Sequence, residues 1–440
     1  MTTLSVVGLG KLGICTAACL AYRGYDTIGL DINPDVVATV NAGVAPVHEP
    51  HLQDIMAAAG GRLRATQDYG VLVEDSDITL FIVPTPSRDD GHFSDRYLQD
   101  ALRSMGAALA RSSKPYHLFV VTSTVTPGTT ERTLIPLVEK TTKRHLHEGF
   151  GICYNPEFIA LGSVITDFLN PDLVLIGESD RAAGDRLETV YRVVCENTPR
   201  VSRMSIVSAE IAKLSLNSYV TMKISFANTL ASLCERIPGA DVDAVTGALG
   251  ADRRVSSYGL RGGLPFGGPC FPRDNRAFVA FAAQHGVEAA LAQATDRTNR
   301  VQMQRLIDLV VGQMDTLGER TVSILGLAYK PHTPVIEESP SVSLVEALLE
   351  RGATVTAYDP LAAEAVRQRF GARVHFTSSV REAVARSAVT VVAVPLPECA
   401  AIDGSYIVHD PAVIIDCWRV LDRTHFVKPA TYLGLGLSPS

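Results

Sequence analysis

The stretch "VVGLGKLG", residues 6–13, places Gly8, Gly10 and Gly13 in a G-x-G-x-x-G pattern. An apolar strand pattern precedes these glycines, and the helical pattern "ICTAACLAYRG" follows them. Glycines with this spacing permit a tight turn, close approach of a pyrophosphate and packing of the helix on the sheet. The stretch therefore predicts a dinucleotide-binding turn, and the alternative is a glycine turn that binds nothing.

The second strand indicates which dinucleotide this turn would hold. It ends in "IGLDIN", which puts Asp31 where an acceptor for the ribose 2'-hydroxyl belongs. A carboxylate at that place repels the additional phosphate of NADP. The sequence therefore favours NAD as the cofactor.

Short apolar runs alternate with helical patterns over residues 1 to about 195, and the alternation resumes from about residue 319. This rhythm predicts two parallel, doubly wound sheets. Between them, Ser205 to Glu235 contains neither Pro nor Gly and is apolar on more than one face, which is typical of a long, mostly buried helix. The predicted fold class is α/β, with two Rossmann-like domains joined by a central helical domain. The expected domains are 1–204, 205–300 and 301–440.

Composition narrows the classes of function. The 440 residues carry a formal net charge of -7 without a run of like charges, which disfavours a nucleic-acid partner. The N-terminus enters a strand pattern directly and no apolar run reaches membrane-spanning length, so we expect a cytoplasmic protein without a membrane partner. Eight scattered cysteines form no C-x-x-C pair, which argues against a metal site and a disulfide framework.

The long helix carries a polar pair. Lys213 and Asn217 are four residues apart and therefore share a face of an otherwise apolar helix. Such side chains together polarise an oxygen atom and stabilise an alkoxide next to a nicotinamide. The alternative is a lysine that extends to solvent and an asparagine that caps the backbone.

The stretch "PFGGPCFPRDNRAF", residues 265–278, places Cys270 directly before a predicted helix start. The helix N-terminus and Arg273 both favour the thiolate, so the pattern predicts a nucleophile rather than a buried structural cysteine. Asp274 and Glu157, the latter in "YNPEF", flank loops where a base that activates water would lie. Each of these carboxylates would equally serve as a helix cap or an ion-pair partner.

The second α/β domain has "LGLAYKP" at the turn equivalent to residues 6–13, with Gly326 but without the triple-glycine pattern. Lys330 follows instead, and a lysine holds a phosphate as a point charge. This turn therefore predicts a different phosphate ligand.

Together these motifs resemble the UDP-glucose/GDP-mannose dehydrogenase family of NAD-dependent nucleotide-sugar dehydrogenases. The resemblance covers nearly the whole chain and implies a four-electron oxidation of a sugar C6 alcohol to the carboxylate, with two NAD consumed and no free aldehyde released. Its motifs are "VVGLGKLG", "VNAGVAPVHEP", "VPTP", "TSTVTPGTT", "YNPEF" with "DFLNPDLVLIG", "AEIAKLSLNSYVTMKISFAN", "FGGPCFPRD" and "LGLAYKPHT".

The resemblance also implies roles for individual residues. Cys270 would capture the aldehyde as a thiohemiacetal and then as a thioester, while Lys213 and Asn217 would hold the reacting oxygen. The residues implied in hydrolysis of the thioester are Asp274, Glu157 and Thr124. The implied cofactor-binding residues are Gly8, Gly10, Leu12, Gly13, Asp31, Pro84, Thr85, Thr124 and Arg273. The implied substrate-binding residues are Glu157, Phe158, Lys213, Asn217, Arg254, Phe266, Gly267, Lys330 and Arg419.

In the family, an arginine at the position of Arg254 reaches the sugar nucleotide from the partner subunit. The resemblance therefore implies a homodimer or a higher homo-oligomer.

Three places depart from the family pattern. Leu161 stands where the family often has a further glutamate after "NPEF", so any role of that carboxylate is missing. Glu337 replaces an arginine that usually helps to hold the cofactor. Near the C-terminus "DCWR" replaces "DGRN", and Arg419 would take over the arginine role one residue later.

The choice of sugar rests on the cysteine motif. "FGGPCFPRD" is closer to the "GGSCFPKD" of the glucose branch than to the "GGHCIPxD" of the N-acetylmannosamine branch, which favours UDP-glucose. A UDP-N-acetylhexosamine, GDP-mannose or another nucleotide sugar is the alternative substrate. A 3-hydroxyacid or 6-phosphogluconate type dehydrogenase also uses Lys and Asn on a helix, but Cys270 and the second α/β domain argue against it. The alternative outside enzymes is an NAD-binding regulator without catalysis.

Overall fold

The computed structural model describes residues 2–318, 320–426 and 430–438. The chain divides into two compact units, Met1–Ser215 and Leu216–Ser440. In the part of the chain that is described, no helix combines the length and the apolarity that a membrane crossing requires.

The first unit alternates strands and helices, as its sequence predicts. Its strands are β1 (Leu4–Val7), β2 (Thr27–Leu30), β3 (Leu63–Thr66), β4 (Ile78–Phe81), β5 (His117–Val121), β6 (Phe150–Tyr154), β7 (Leu173–Glu178) and β8 (Arg200–Met204). Its helices are α1 (Gly13–Tyr22), α2 (Pro34–Asn41), α3 (Leu52–Ala58), α4 (Tyr69–Asp75), α5 (Arg96–Arg111), α6 (Ile135–Thr142), α7 (Val164–Leu169) and α8 (Arg181–Val194), with a π-helical turn at Thr130–Leu134.

These strands form one sheet in the order β3-β2-β1-β4-β5-β6-β7-β8, with an apolar core on each face. The strand order reverses beside β1, and such a point is where doubly wound sheets bind ligands. β7 departs from the predicted parallel arrangement because it runs antiparallel to β6. The helix between them, α7, has six residues, and about 9 Å of helix is too short to carry the chain back along the sheet.

A long helix, α9 (Ile206–Cys234), starts in the first unit and continues in the second. Its observed ends lie within one residue of the predicted Ser205 and Glu235. Lys213 and Asn217 lie one turn apart on it, as predicted.

The second unit continues with helices and a second parallel sheet. Its further helices are α10 (Val242–Ala251), α11 (Phe271–Gln284), α12 (Ala290–Leu317), α13 (Pro340–Glu350), α14 (Ala363–Phe370) and α15 (Val380–Ala385). Its strands are β9 (Thr321–Leu325), β10 (Thr354–Tyr358), β11 (Val374–Phe376), β12 (Val389–Val392), β13 (Ala412–Asp416) and β14 (Ala430–Gly434), in the order β11-β10-β9-β12-β13-β14.

The predicted fold class is therefore confirmed: two α/β sheet domains and a helical region between them. The sequence missed β3, β8 and β14, and each of them is an edge strand. An edge strand has a neighbour on one side only and carries more exposed polar residues, which weakens its apolar pattern. The two domain boundaries stay a prediction, and the expected boundary at residue 300 falls inside α12.

Candidate active site

The glycine turn leads from β1 into α1. A Cβ at Gly8, where φ is +93°, would lie 2.4 Å from the carbonyl oxygen of Ile82, and one at Gly13 would lie 1.8 Å from the carbonyl oxygen of Gly8. Both positions therefore require glycine for packing. Gly10 faces open space instead, and the first turn of α1, which Leu12 caps, contains no acidic residue. The turn thus leaves the positive end of a helix open to an approaching pyrophosphate.

Asp31 follows β2 and is held beside this turn. Its Oδ2 accepts a hydrogen bond from the Leu9 N–H at 2.8 Å, and its Oδ1 accepts one from the Asn33 N–H at 2.9 Å. Each carboxylate oxygen has a second lone pair, so both remain able to accept from ribose hydroxyls. The residues of this edge therefore fit NAD.

The loops after β4 and β5 are joined to each other. The Thr85 hydroxyl donates to the Thr124 carbonyl at 2.7 Å, while the Ser123 hydroxyl accepts from the Val83 N–H at 2.9 Å. Pro84 is exposed and Thr85 is buried. The structure thus brings the predicted residues Pro84, Thr85 and Thr124 together.

Glu157 and Lys213 meet within the first unit. The Lys213 ammonium donates to the Glu157 carbonyl oxygen at 2.7 Å and lies 4.8 Å from the centre of the Phe158 ring. The Glu157 Oε1 atom accepts from the Thr16 hydroxyl at 3.1 Å, whereas Oε2 is buried without a hydrogen-bond partner in the described residues. The three predicted residues therefore form one cluster, to which the structure adds Thr16.

Burial raises the pKa of Glu157 to about 7, against the opposing effects of the Thr16 hydrogen bond and the Lys213 charge. A carboxyl group with this pKa exchanges its proton near neutral pH. That property is what a general acid or base requires.

Two buried glutamates that the sequence reasoning missed hold the neighbouring loops. Glu210 on α9 accepts from the N–H groups of Gly128 and Thr130, in the loop that follows Thr124. Glu49 accepts from the N–H groups of Gly162 and Val164, both at 2.9 Å, in the loop that follows Glu157. The signal for Glu49 was its place in the motif "VNAGVAPVHEP". Leu161, at the position of the missing family glutamate, packs against the apolar core.

Cys270 lies at the N-cap of α11 and is exposed. The seven other cysteines are buried, and none of the eight forms a disulfide. Pro272 lies in the first turn of α11, as predicted. Cys270 is thus a single accessible thiol at a helix N-terminus.

A buried carboxylate follows this thiol. Asp274 Oδ2 accepts from the Asn217 side-chain amide at 2.7 Å, and Oδ1 accepts from the Arg273 Nε at 3.1 Å. The Asp274 side chain is 1% exposed. Three of the predicted residues therefore form a second cluster, within the second unit.

Two glycines before Cys270 pack against the loop that follows β9. A Cβ at Gly267 would lie 2.1 Å from the Glu338 carbonyl oxygen, and one at Gly268 would lie 2.5 Å from the Tyr329 ring. Lys330 is the residue after Tyr329 and is half-buried, and Phe266 is buried edge-on to the ring of Phe271. The structure therefore places Phe266, Gly267 and Lys330 in neighbouring loops, while Glu337 is exposed beside Glu338.

The two predicted substrate arginines differ in exposure. The Arg254 side chain is 83% exposed and pairs with Asp252. The Arg419 side chain is 4% exposed, forms a bidentate ion pair with Asp243 and donates to the carbonyls of Gly262 and Leu435. The Arg419 guanidinium is thus already bound to Asp243, Gly262 and Leu435. Its role in substrate binding stays a prediction.

Comparisons with known proteins cover all parts of the chain. Residues 2–195, 207–301 and 323–423 match the models of the UDP-glucose/GDP-mannose dehydrogenase family for its NAD binding domain, its central domain and its UDP binding domain. The UDP-glucose 6-dehydrogenase AglM of Haloferax volcanii is 38% identical over 96% of this chain and 97% of its own. The GDP-mannose 6-dehydrogenase of Pseudomonas putida is 34% identical over 81% of this chain and 80% of its own.

A solved structure is also similar over nearly the full length. The UDP-glucose dehydrogenase from Pyrobaculum islandicum has a TM-score of 0.88 and 33% identity, and the match covers 99% of this chain and 98% of that chain. These findings confirm the predicted NAD cofactor and the predicted dehydrogenase class.

The place of Asp31 predicts how the cofactor preference responds to its charge. We expect NAD to be strongly preferred over NADP, and Asp31→Asn to narrow the ratio of the two kcat/KM values by at least about tenfold, since the amide no longer repels a 2'-phosphate. Asp54→Asn, which neutralises an exposed carboxylate on α3, is the matched control. Comparable wild-type kinetics with both cofactors would contradict the assignment.

The raised pKa of Glu157 predicts opposite effects on activity and stability. Since the folded pKa of about 7 exceeds the unfolded value of 4.5, the contribution of Glu157 to stability is full below pH 4.5 and is lost as the pH rises through 7. Glu157→Gln should therefore raise the free energy of unfolding by about 1 to 3 kcal/mol at pH 8 but not at pH 4.

The same variant should slow acid formation by about 10²-fold or more and remove the limb of the kcat profile near pH 7. The free energy of unfolding, measured at pH 4 and pH 8, and steady-state rates between pH 5 and 9 test the two effects. A variant whose pH profile matches that of the wild type would exclude Glu157 as the titrating group.

Proposed function

Because this chain belongs to the UDP-glucose/GDP-mannose dehydrogenase family, we propose that it oxidises UDP-glucose to UDP-glucuronate in two successive NAD-dependent steps. The observation that carries the proposal is the single exposed thiol, Cys270, at the N-cap of α11. A primary alcohol becomes a carboxylate only if something adds to the intermediate aldehyde, and a thiolate adds readily at neutral pH.

The first oxidation converts the C6 alcohol into an aldehyde. The glycine turn and Asp31 would hold NAD, which would supply the hydride acceptor for C6 in both oxidations. Lys213 and Asn217 stabilise the negative charge that develops on the C6 oxygen as its proton leaves. The Lys213 ammonium is kept in place by the Glu157 carbonyl oxygen.

The second oxidation takes place on the enzyme. The Cys270 sulfur adds to the aldehyde carbon, and the carbonyl oxygen takes a proton to give a thiohemiacetal. Loss of a second hydride from C6 and of the hydroxyl proton then leaves a thioester on Cys270. The thiolate remains a good leaving group for the last step.

Hydrolysis of the thioester releases the acid. Glu157, with a pKa of about 7, takes a proton from the attacking water, and the C–S bond breaks to regenerate the Cys270 thiol. Asp274 accepts hydrogen bonds from Asn217 and Arg273 and so orients these two side chains. The products are one sugar acid and two NADH.

The proposal also specifies which sugar nucleotide is the substrate. UDP-glucose is supported by the similarity to "GGSCFPKD" and by the relative from Haloferax volcanii, whereas GDP-mannose is supported by the relative from Pseudomonas putida. Initial rates with UDP-glucose, GDP-mannose and UDP-N-acetylhexosamines, at equal concentration and with NAD, distinguish them. A kcat/KM for another sugar nucleotide above that for UDP-glucose would overturn the choice.

We also propose that the protein is a cytoplasmic homodimer or higher homo-oligomer. Leu216, Tyr219, Phe226 and Leu233 are 40 to 56% exposed and lie on one side of α9, at the spacing of a helix-packing seam. A large exposed apolar stripe of this kind is usually an interface. The eight cysteines form no disulfide, which supports a reducing compartment.

The role of Cys270 predicts a defect confined to the second oxidation. Cys270→Ala should retain NAD and UDP-glucose binding, measured by calorimetry, but should make acid at least about a thousandfold more slowly. Cys270→Ser should form acyl-enzyme slowly and accumulate it, visible as a mass increase on the peptide containing residue 270, because a serine ester is a poorer acyl donor. Cys195→Ala, at a buried thiol, is the control. Acid formation at the wild-type rate in either Cys270 variant would show that the thiol is structural.

The exposed stripe on α9 predicts the effect of a charge within it. Phe226→Asp should shift the protein from dimer to monomer in analytical ultracentrifugation at micromolar concentration, because a carboxylate cannot be buried unpaired in an apolar interface. Val408→Asp, at another exposed apolar side chain, is the matched control. A fully active wild-type monomer at this concentration would refute the dimer.

A further inference from the structure

The loop that leads to Cys270 has a buried backbone. Gly263, Leu264 and Phe266 lie between α10 and α11, outside any helix or strand, and all three are buried. Buried backbone N–H and C=O groups without partners cost free energy, so an irregular loop in this position needs other donors and acceptors. The partners of this loop are side chains.

Three carboxamides supply five hydrogen bonds to it. Asn228 on α9 accepts from the Gly263 N–H at 2.8 Å and donates to the Leu264 carbonyl at 3.1 Å. Gln302 on α12 donates to the Gly263 carbonyl.

Asn299, one turn before Gln302 on α12, binds both backbone groups of one residue. It accepts from the Phe266 N–H at 2.8 Å and donates to the Phe266 carbonyl at 2.9 Å. This is the pairing that a neighbouring strand would provide, here made by a side chain. Phe266 is four residues before Cys270, and its ring packs on Phe271 directly after it.

We infer that Asn228, Asn299 and Gln302 are positioning residues that fix the Cys270 loop for thiol chemistry. Their hydrogen bonds to the loop go to the backbone of residues 263–266. The arrangement sets where the chain enters α11 and so holds Cys270 at the helix N-terminus. The effect of this placement on catalysis rests on the proposed function, whereas the placement of Cys270 itself does not.

Asn299→Leu tests the inference, since leucine has a similar size and removes both hydrogen bonds to Phe266. Gln304→Leu is the matched control, because Gln304 is exposed on the same helix and binds only Asp308 among the described contacts. The first measurement is alkylation of Cys270 by iodoacetamide, followed by peptide mass spectrometry, and it requires no substrate. Cys270 is already exposed, so its alkylation rate reports the thiolate fraction that the helix N-terminus favours.

We expect alkylation at pH 7 to be at least about threefold slower in Asn299→Leu, with the midpoint of its pH profile at higher pH, and unchanged in Gln304→Leu. The second measurement is the amount of C6 aldehyde trapped by a hydrazine per acid formed. A misplaced thiol should let aldehyde escape and raise this ratio at least about tenfold, whereas a loss of folded enzyme would lower both products together.

Equal alkylation profiles in the wild type and Asn299→Leu would overturn the inference. A changed alkylation profile with an unchanged aldehyde ratio would overturn the catalytic positioning role. If the wild type oxidises no sugar nucleotide, the proposed function fails, and the alkylation profiles still decide the geometric part. Should Asn299→Leu not fold, Gln302→Met takes its place with the same two measurements. This variant removes the donor to the Gly263 carbonyl and the acceptor of the Arg305 Nε hydrogen bond.

Discussion

The proposed chemistry of this protein depends on keeping one thiol exposed at the end of a buried, irregular loop. The seven other cysteines are buried. The loop gives access to Cys270, but its backbone must find hydrogen-bond partners without a strand beside it. Buried amide side chains of α9 and α12 provide them, and Gly267 and Gly268 allow the loop after β9 to pack at van der Waals distance. Side chains of α9 and α12 and the loop after β9 thus hold the loop that carries the Cys270 sulfur.

In the first unit the surroundings of Glu157 set the pKa of its carboxyl group. In the proposed mechanism Glu157 takes a proton at neutral pH, which an exposed carboxylate with a pKa near 4.5 does poorly. Burial raises its pKa to about 7, while Thr16 and Lys213 limit the rise. The Lys213 ammonium donates to the backbone oxygen of the same residue, so the two groups to which the proposal gives the alkoxide charge and the base are held by one segment. Leu161 packs against the apolar core.

In both sheets an aspartate carboxylate accepts hydrogen bonds from the backbone N–H groups that follow the first strand. Asp31 accepts from the Leu9 N–H after β1, and Asp359 accepts from the N–H groups of Leu327 and Ala328 after β9. Asp359 also caps the N–H groups of Leu361 and Ala362 and is buried, whereas Asp31 is partly exposed. The first carboxylate therefore remains available to a cofactor, and the second is saturated by the backbone. The related turns thus suit different ligands although their strands are alike.

The sequence by itself determined the fold class and the NAD turn, because these follow from local patterns: glycine spacing, and strand and helix periodicity. From another local pattern, a cysteine before a helix start, it predicts Cys270 as the nucleophile. It also indicated α9 to within a residue at each end, since an apolar run without Pro or Gly is a local property. The edge strands β3, β8 and β14 were missed because their short, polar patterns become strands only beside a neighbour. Glu49, Glu210 and the three loop-holding carboxamides were missed for the same reason, since their partners lie 33 to 115 residues away. Only the tertiary structure decided that Arg419 forms an ion pair with Asp243, because a guanidinium is equally suited to bind a ligand and a neighbouring carboxylate.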